Sequence, residues 1–171
     1  GHAVKADDPG KELTFKPYVP GAGRFGNLEK VATPGAKTAD QVAKFLNVTL
    51  DKIVKTIIFK QKGGEGKVAV LVAGNRSVHE GKVRSFLGWE DIDFASGEEI
   101  KEWTGFPKGY LGPVKLNIRP ILVDTSIGMD QDLVCGANEE GYHYRGFFPP
   151  MNLDLSNTDL YKCLDVKKGM A

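Results

Sequence analysis

Ile53-Val54-Lys55-Thr56-Ile57-Ile58-Phe59 and Lys67-Val68-Ala69-Val70-Leu71-Val72-Ala73, with Lys62-Gly63-Gly64-Glu65-Gly66 between them, decide how this chain folds. Both runs are rich in β-branched and aliphatic residues, and the link is a short glycine-rich stretch, so they read as a β-hairpin with a flexible loop. In an extended strand successive side chains alternate between faces, which puts Lys55 with Ile57 and Phe59, and Val54 with Thr56 and Ile58. Both faces are apolar enough to be buried. A lysine on such a strand must snorkel to an edge, join a structural ion pair, or enter a pocket where its ammonium meets an acceptor, because burying it unpaired is costly.

Upstream, Thr38-Ala39-Asp40-Gln41 fits a capping box, with the Thr hydroxyl accepting from a backbone N–H three residues on while Gln41 reaches back. A helix is predicted from there to about Asn47, with Val42, Phe45 and Leu46 at helical spacing as its buried stripe. Downstream, Val83, Phe86 and Leu87 repeat that spacing before Gly88, and Ser96-Gly97-Glu98-Glu99 is a second capping box opening a helix to about Trp103. After the loop Gly109-Tyr110-Leu111-Gly112-Pro113 come strand-like runs at Ile121 to Thr125, Asp132 to Cys135 and Tyr142 to Phe147, and Tyr161 to Val166 closes the sheet. Hairpin-linked strands mixed with helices predict an α/β (mixed α+β) class: a single compact domain with a mixed, largely antiparallel central sheet flanked by helices.

The 171 residues are 41% hydrophobic, enough for one substantial core and short for two domains. With a formal net charge of +1, the chain lacks the strongly basic footprint common in nucleic-acid binders, so any RNA contact is local or assisted. Cys135 and Cys163 are far apart without a C-x-x-C spacing, which argues against a zinc site or disulfide framework and for reduced thiols in a cytoplasmic protein. No apolar run is long enough to span a bilayer, and no secretory signal opens the chain. Gly1-His2 reads as a tag remnant, and residues 1–28, rich in Pro, Gly and charge, as a linker or wrapping arm preceding a domain over 29–171.

Among residues with chemical potential, His143 lies between Tyr142 and Tyr144 and would face away from both. Asp124 ends the apolar run Ile121-Leu122-Val123 and suits either a buried acceptor or a turn-starting aspartate. Thr33-Pro34-Gly35 fits a turn before the first helix. The glycines of the Gly109 to Pro113 loop permit close backbone approach to a ligand. The absence of H-E-x-x-H, G-x-S-x-G, G-x-x-x-x-G-K-[ST] and G-x-G-x-x-G patterns leaves metal hydrolysis, a serine nucleophile elbow and the common nucleotide folds without support.

Taken together and in order, Glu29-Lys30-Val31-Ala32-Thr33-Pro34-Gly35-Ala36-Lys37-Thr38, Val54-Lys55-Thr56, Gly109-Tyr110-Leu111-Gly112-Pro113-Val114, Val123-Asp124, Cys135-Gly136-Ala137-Asn138 and Gly141-Tyr142-His143-Tyr144 resemble the insertion editing domain of bacterial-type prolyl-tRNA synthetases. The resemblance runs from about Glu29 to about Gly146, within a superfamily that includes free-standing deacylases. It implies hydrolysis of mischarged alanyl-tRNA(Pro) without a cofactor or metal, with the tRNA acceptor end and the host synthetase domains as partners. Carried over residue by residue, it implies Lys55 as the catalytic lysine. It implies Thr33, Asp124, His143 and the loop residues Gly109, Leu111, Gly112 and Pro113 as substrate-binding groups, with Asp124 orienting Lys55 or binding the substrate amine. Loop N–H groups would share the developing negative charge.

The chain departs from its relatives at Phe147-Phe148-Pro149-Pro150-Met151 on the expected pocket rim, and at Ala39 and Val42, where relatives carry larger aliphatics. Val42 is therefore expected to contact the substrate in a wider pocket. Two other readings stay open: a free-standing cysteinyl-tRNA(Pro) deacylase, and an inactive tRNA-binding module of the same fold.

Overall fold

A computed structural model describes residues 27–128 and 132–169. Most of the expected arm therefore lies outside the described residues. Leu28, placed at its end, belongs instead to the main core, where it is 1% exposed.

The hairpin forms as read. Strand β2 (Ile53–Gln61) pairs antiparallel with β3 (Lys67–Ala73), matching Lys55 to Val72 and Phe59 to Val68. On the far side of β3 runs β5 (Ile121–Asp124), parallel, and beyond it β8 (Tyr161–Leu164), also parallel. On the near side of β2 comes β6 (Leu133–Gly136), parallel, then β7 (Tyr142–Phe147) and β1 (Glu29–Ala32), each antiparallel to its neighbour. The short strand β4 (Ile92–Phe94) pairs antiparallel with the distal end of β2. The sheet is thus mixed and mainly antiparallel, as expected. Strands β1 and β4 were not foreseen, because each is too short to carry a period of its own and exists through its partner.

Two strands share one edge of β2 without covering it. β6 pairs with Ile53 and Val54, while β4 pairs with Phe59, Lys60 and Gln61. Between them, no described strand pairs with that edge at Lys55, Thr56 and Ile57. This break in the sheet sets the position of the cleft described below.

The alternation predicted for β2 separates two cores. Val54 and Ile58 join Ala69, Leu71, Val123, Cys135 and Phe147 on one face, covered by Ile100 of helix α3 (Gly97–Thr104) and the segment from Leu111 to Ile118. Phe59 joins Val68, Val70, Val72 and Leu122 on the other, under Val83 of helix α2 (Glu80–Leu87). Ile53 and Val134 meet Val42 and Ala43 of helix α1 (Ala39–Leu46) in a third cluster. Each fully buried aliphatic or aromatic side chain contributes about 1.5–3 kcal/mol of transfer free energy.

Both capping boxes form as predicted, at Thr38/Gln41 and Ser96/Glu99. The α1 stripe differs from expectation: Phe45 is 49% exposed, and Ala43 takes the buried position beside Val42. Phe86 is likewise exposed, at 48%. A helix of eight residues turns too little surface toward the sheet to bury every apolar residue that the spacing nominates. The last helix, α4 (Pro149–Asn152), is a single turn that follows β7.

Candidate active site

The break in the β2 edge opens into a cleft of about 430 Å³. Lys37, Thr38, Ala39 and Val42 from the start of α1 line one wall, residues Ile53 to Ile57 of β2 the floor, and Lys108, Gly109, Leu111, Gly136 and His143 the remainder. Three lysines line this space and no carboxylate does, so the cleft favours an anionic ligand even though the chain is nearly neutral.

Lys55 is half-buried, and its Nζ donates to the Arg76 carbonyl at 2.5 Å. Burial lowers its pKa below the ordinary lysine value, because removing water disfavours the charged form. It has neither snorkelled to an exposed edge nor formed an ion pair: its acceptor is a backbone carbonyl. The neighbouring Thr56 also lines the cleft, and its Oγ1 is buried without a protein partner.

His143 faces away from the Tyr144 side of β7, on the face that carries Ile53, as strand alternation requires. Its Nδ1 lies 2.6 Å from Thr33 Oγ1, and Tyr110 packs edge-on against the ring with centroids 5.6 Å apart. The imidazole is buried, which pushes its pKa down to about 4 and leaves it neutral at pH 7. Thr33 is fully buried behind it, its N–H donating to the Gly141 carbonyl. Thr33 therefore holds His143 and is not among the residues lining the cleft.

The loop from Pro107 to Val114 is latched by Asn138, a residue in left-handed conformation (φ 60°). Its Oδ1 accepts from Gly112 N–H at 2.7 Å, its Nδ2 donates to the Val114 carbonyl at 2.8 Å, and its N–H donates to the Tyr110 carbonyl at 2.8 Å. Gly112 must lack a side chain for a steric reason: a Cβ there would stand 1.9 Å from the Gly136 carbonyl oxygen. The loop amides of Tyr110, Leu111 and Gly112 are all engaged within the protein. This corrects the expectation that several N–H groups of the Gly109 to Pro113 loop are available to a ligand; within those five residues only Gly109, on the cleft wall, has an N–H that makes no bond to another described residue. Gly112 and Pro113 pack behind the wall.

Asp124 is not at the cleft. Its carboxylate accepts from Val166 N–H and from Ser126 N–H, each at 2.7 Å, and it is 1% exposed. Extending the Leu71–Val123 register by one step places Asp124 beside Val72, which itself pairs with Lys55. Lys55 and Asp124 thus share a face with one strand between them, roughly 10 Å apart. Asp124 does not orient Lys55 directly here: its two oxygens accept from Val166 and Ser126 N–H, the lysine donates to the Arg76 carbonyl, and Asp124 is not among the residues lining the cleft.

Sequence reasoning missed Lys37, Lys108, Asn138 and Arg76. Lys37 and Lys108 carried no local signal, since isolated lysines near turns are ordinary. Asn138 had one, in Gly136-Ala137-Asn138 between two strands, where Asn is the common non-glycine choice for a left-handed backbone. A second hollow of about 450 Å³ lies at the hairpin loop, where Lys60 pairs with Glu99 at 2.7 Å and Lys67 lies over the Trp103 ring. Among the described residues, no group of His, Cys, Asp or Glu is placed to hold a metal ion, and no helix is long and apolar enough to cross a membrane.

Comparison with known proteins converges on one family. The family model described as the aminoacyl-tRNA editing domain matches residues 33–149. The chain is 42% identical over 118 residues to the proline–tRNA ligase of Maridesulfovibrio salexigens, and 44% identical over 117 residues to that of Thermosipho africanus. To the proline–tRNA ligase of Sulfurihydrogenibium sp. it is 44% identical over 142 residues. These matches cover 69%, 68% and 83% of this chain but 20%, 20% and 24% of the ligases, so the chain spans about a fifth to a quarter of the length of these curated relatives. Among solved structures, one described as a candidate trans-editing enzyme for prolyl tRNA synthetase superposes with a TM-score of 0.69 at 25% identity, covering 84% of this chain and 88% of that one.

Proposed function

Since the chain belongs to the aminoacyl-tRNA editing domain family, we propose that it hydrolyses the ester joining alanine to the terminal ribose of tRNA(Pro). The observation that carries this reading is the cleft itself: a small space with three lysines, no carboxylate and a neutral histidine beside Val42. Lysines suit the phosphates and ribose of an RNA 3′ end, and Val42 with His143 bounds a pocket for a small side chain.

The need for such a site follows from the energetics of selection. A pocket built for proline rejects smaller alanine by only about 1–3 kcal/mol, so a second pocket that admits alanine and excludes proline restores fidelity. In this reading Lys55 keeps one N–H on the Arg76 carbonyl and turns another toward the substrate, and its ammonium stabilises the oxyanion that forms when water attacks the ester carbonyl. Gly109 N–H is the loop donor within reach of that role. The proton of the attacking water passes to the substrate's own ribose hydroxyl or amino group, as no cleft side chain is a suitable base: His143 is already bonded to Thr33 and has a depressed pKa. Collapse of the tetrahedral intermediate then breaks the ester C–O bond, the relayed proton goes to the leaving ribose oxygen, and alanine is freed. Thr33 holds His143, Leu111 lines the pocket, and Gly112 and Pro113 set the loop's path.

Full-length synthetase context would supply further tRNA contacts, consistent with the low net charge and with the fraction of the ligases that this chain spans. The test is ester loss from alanyl-, cysteinyl- and prolyl-tRNA(Pro) incubated with the protein. Selective loss of the alanyl ester is expected. Preference for the cysteinyl ester moves the assignment to a trans-acting cysteinyl deacylase, and a Lys55→Ala protein acting at the unmodified rate overturns the role of Lys55.

A further inference from the structure

We propose that the C-terminal segment Val166 to Lys168 positions Lys55 through the loop between β3 and α2, which makes Arg76 and Asp124 positioning residues for the cleft. The inference rests on the reading that Lys55 acts on the ester, and goes beyond it by naming what holds the lysine in place.

The geometry is a chain of hydrogen bonds from the buried end of β5 to the lysine. Asp124 Oδ1 accepts from Val166 N–H, and Asp124 Oδ2 accepts from Ser126 N–H, while Ser126 Oγ accepts from Ala73 N–H at 3.1 Å. One carboxylate thus fixes both the C-terminal segment and the end of β3. The C-terminal segment then grips the next loop at three points. His79 N–H donates to the Val166 carbonyl at 2.8 Å, Lys168 N–H donates to the Ser77 carbonyl at 2.9 Å, and the Arg76 guanidinium donates to the Lys168 carbonyl at 2.7 Å. Val78 and Lys167 form an isolated β-bridge in the middle of this contact. The loop so held presents the Arg76 carbonyl to Lys55 Nζ.

The physical need is clear from the side chain. Lysine has four rotatable bonds, and Lys55 has no carboxylate partner to fix it; the other charged side chains lining its cleft, Lys37 and Lys108, repel an ammonium. The carbonyl of a braced loop is what sets the position of Nζ. Displacement of a reacting group by about 1 Å can cost about 100-fold in rate, so slack in the loop is expected to appear in turnover before it appears in binding.

The experiment compares Arg76→Met and Arg76→Lys with the unmodified protein and with a surface control, Lys62→Met, on the hairpin loop. Arg76→Met keeps the backbone carbonyl and the aliphatic stem but removes the clasp to Lys168. Expected are a fall in kcat for alanyl-tRNA(Pro) of roughly 10-fold with KM within about twofold, partial rescue in Arg76→Lys, and no change in the control. An independent readout is NMR titration of the Lys55 ε-methylene. Its pKa should rise toward the ordinary lysine value in Arg76→Met and in a chain ending at Val166, because a released side chain regains water.

An unchanged Lys55 titration in both variants overturns the positioning role, whatever the turnover. If instead Lys55→Ala keeps full activity while the titration moves as expected, the positioning stands and the ester chemistry assigned to Lys55 falls. Asp124→Asn is the third variant: it puts an amide N–H against one of two backbone donors and should reproduce the Arg76→Met titration shift.

Discussion

Thr33 Oγ1 and His143 Nδ1 lie 2.6 Å apart in the interior, linking the residue that follows β1 to the start of β7. The pair sets the orientation of the ring that faces the cleft. Thr33→Val keeps the shape and removes the hydroxyl, leaving a buried ring nitrogen without its partner. A loss of about 1–3 kcal/mol of stability in urea denaturation is expected. The ratio of alanyl to prolyl ester hydrolysis should also fall, because a ring free to turn bounds the pocket less well. Thr33→Ser should retain most of both.

The same burial makes His143 a source of acid sensitivity. Its pKa is about 4 in the fold against an ordinary value of 6.5, so the unfolded chain takes up the proton first as pH falls. Its contribution is fully present above about pH 6.5 and is lost as pH drops toward 4, amounting to at most ~3 kcal/mol. His143→Gln removes that component. Urea denaturation at pH 7 and pH 4.5 should show a smaller pH dependence in the variant; an equal dependence would contradict the neutral, buried assignment.

Lys55 has the opposite relation to stability. Burial without a carboxylate partner lowers its pKa, so the charged form is held at a cost in the folded state. Lys55→Met, of similar length and without charge, should leave the melting temperature unchanged or raised, while deacylation falls by at least about 100-fold. Calorimetry and the ester assay on one preparation check both parts.

The latch beneath the cleft wall should be brittle. Gly112→Ala forces a methyl to within 1.9 Å of the Gly136 carbonyl, which only a shift of the loop relieves. A loss of about 1–3 kcal/mol is expected, as for overpacked sites, together with weakened activity. Asn138→Ala, which abolishes the side-chain bonds to Gly112 and Val114, should produce the same loop displacement from the other side. Hydrogen exchange at the Gly112 amide reports on it directly: faster exchange in Asn138→Ala is the expected result.

Several features were legible in the sequence because they are decided within a few residues. The two capping boxes close through side chains and amides three positions apart, and the glycine-rich loop closes the hairpin between adjacent runs. Alternation along Ile53 to Phe59 placed Lys55 opposite Thr56 before any partner strand was known, since the period of a strand is a property of its own backbone. Tertiary structure alone decided where β6 and β4 stop along the β2 edge, and so where the cleft opens, because the pairing that sets it joins residues as distant in sequence as Ile53 and Val134. It also gathered Lys37, Lys55 and Lys108 from three separate segments into one cationic space on a nearly neutral chain. The fate of Asp124 was likewise tertiary: a carboxylate takes whichever donors the packing brings within reach, and here those are Val166 and Ser126, a full strand away from the lysine it resembles a partner for.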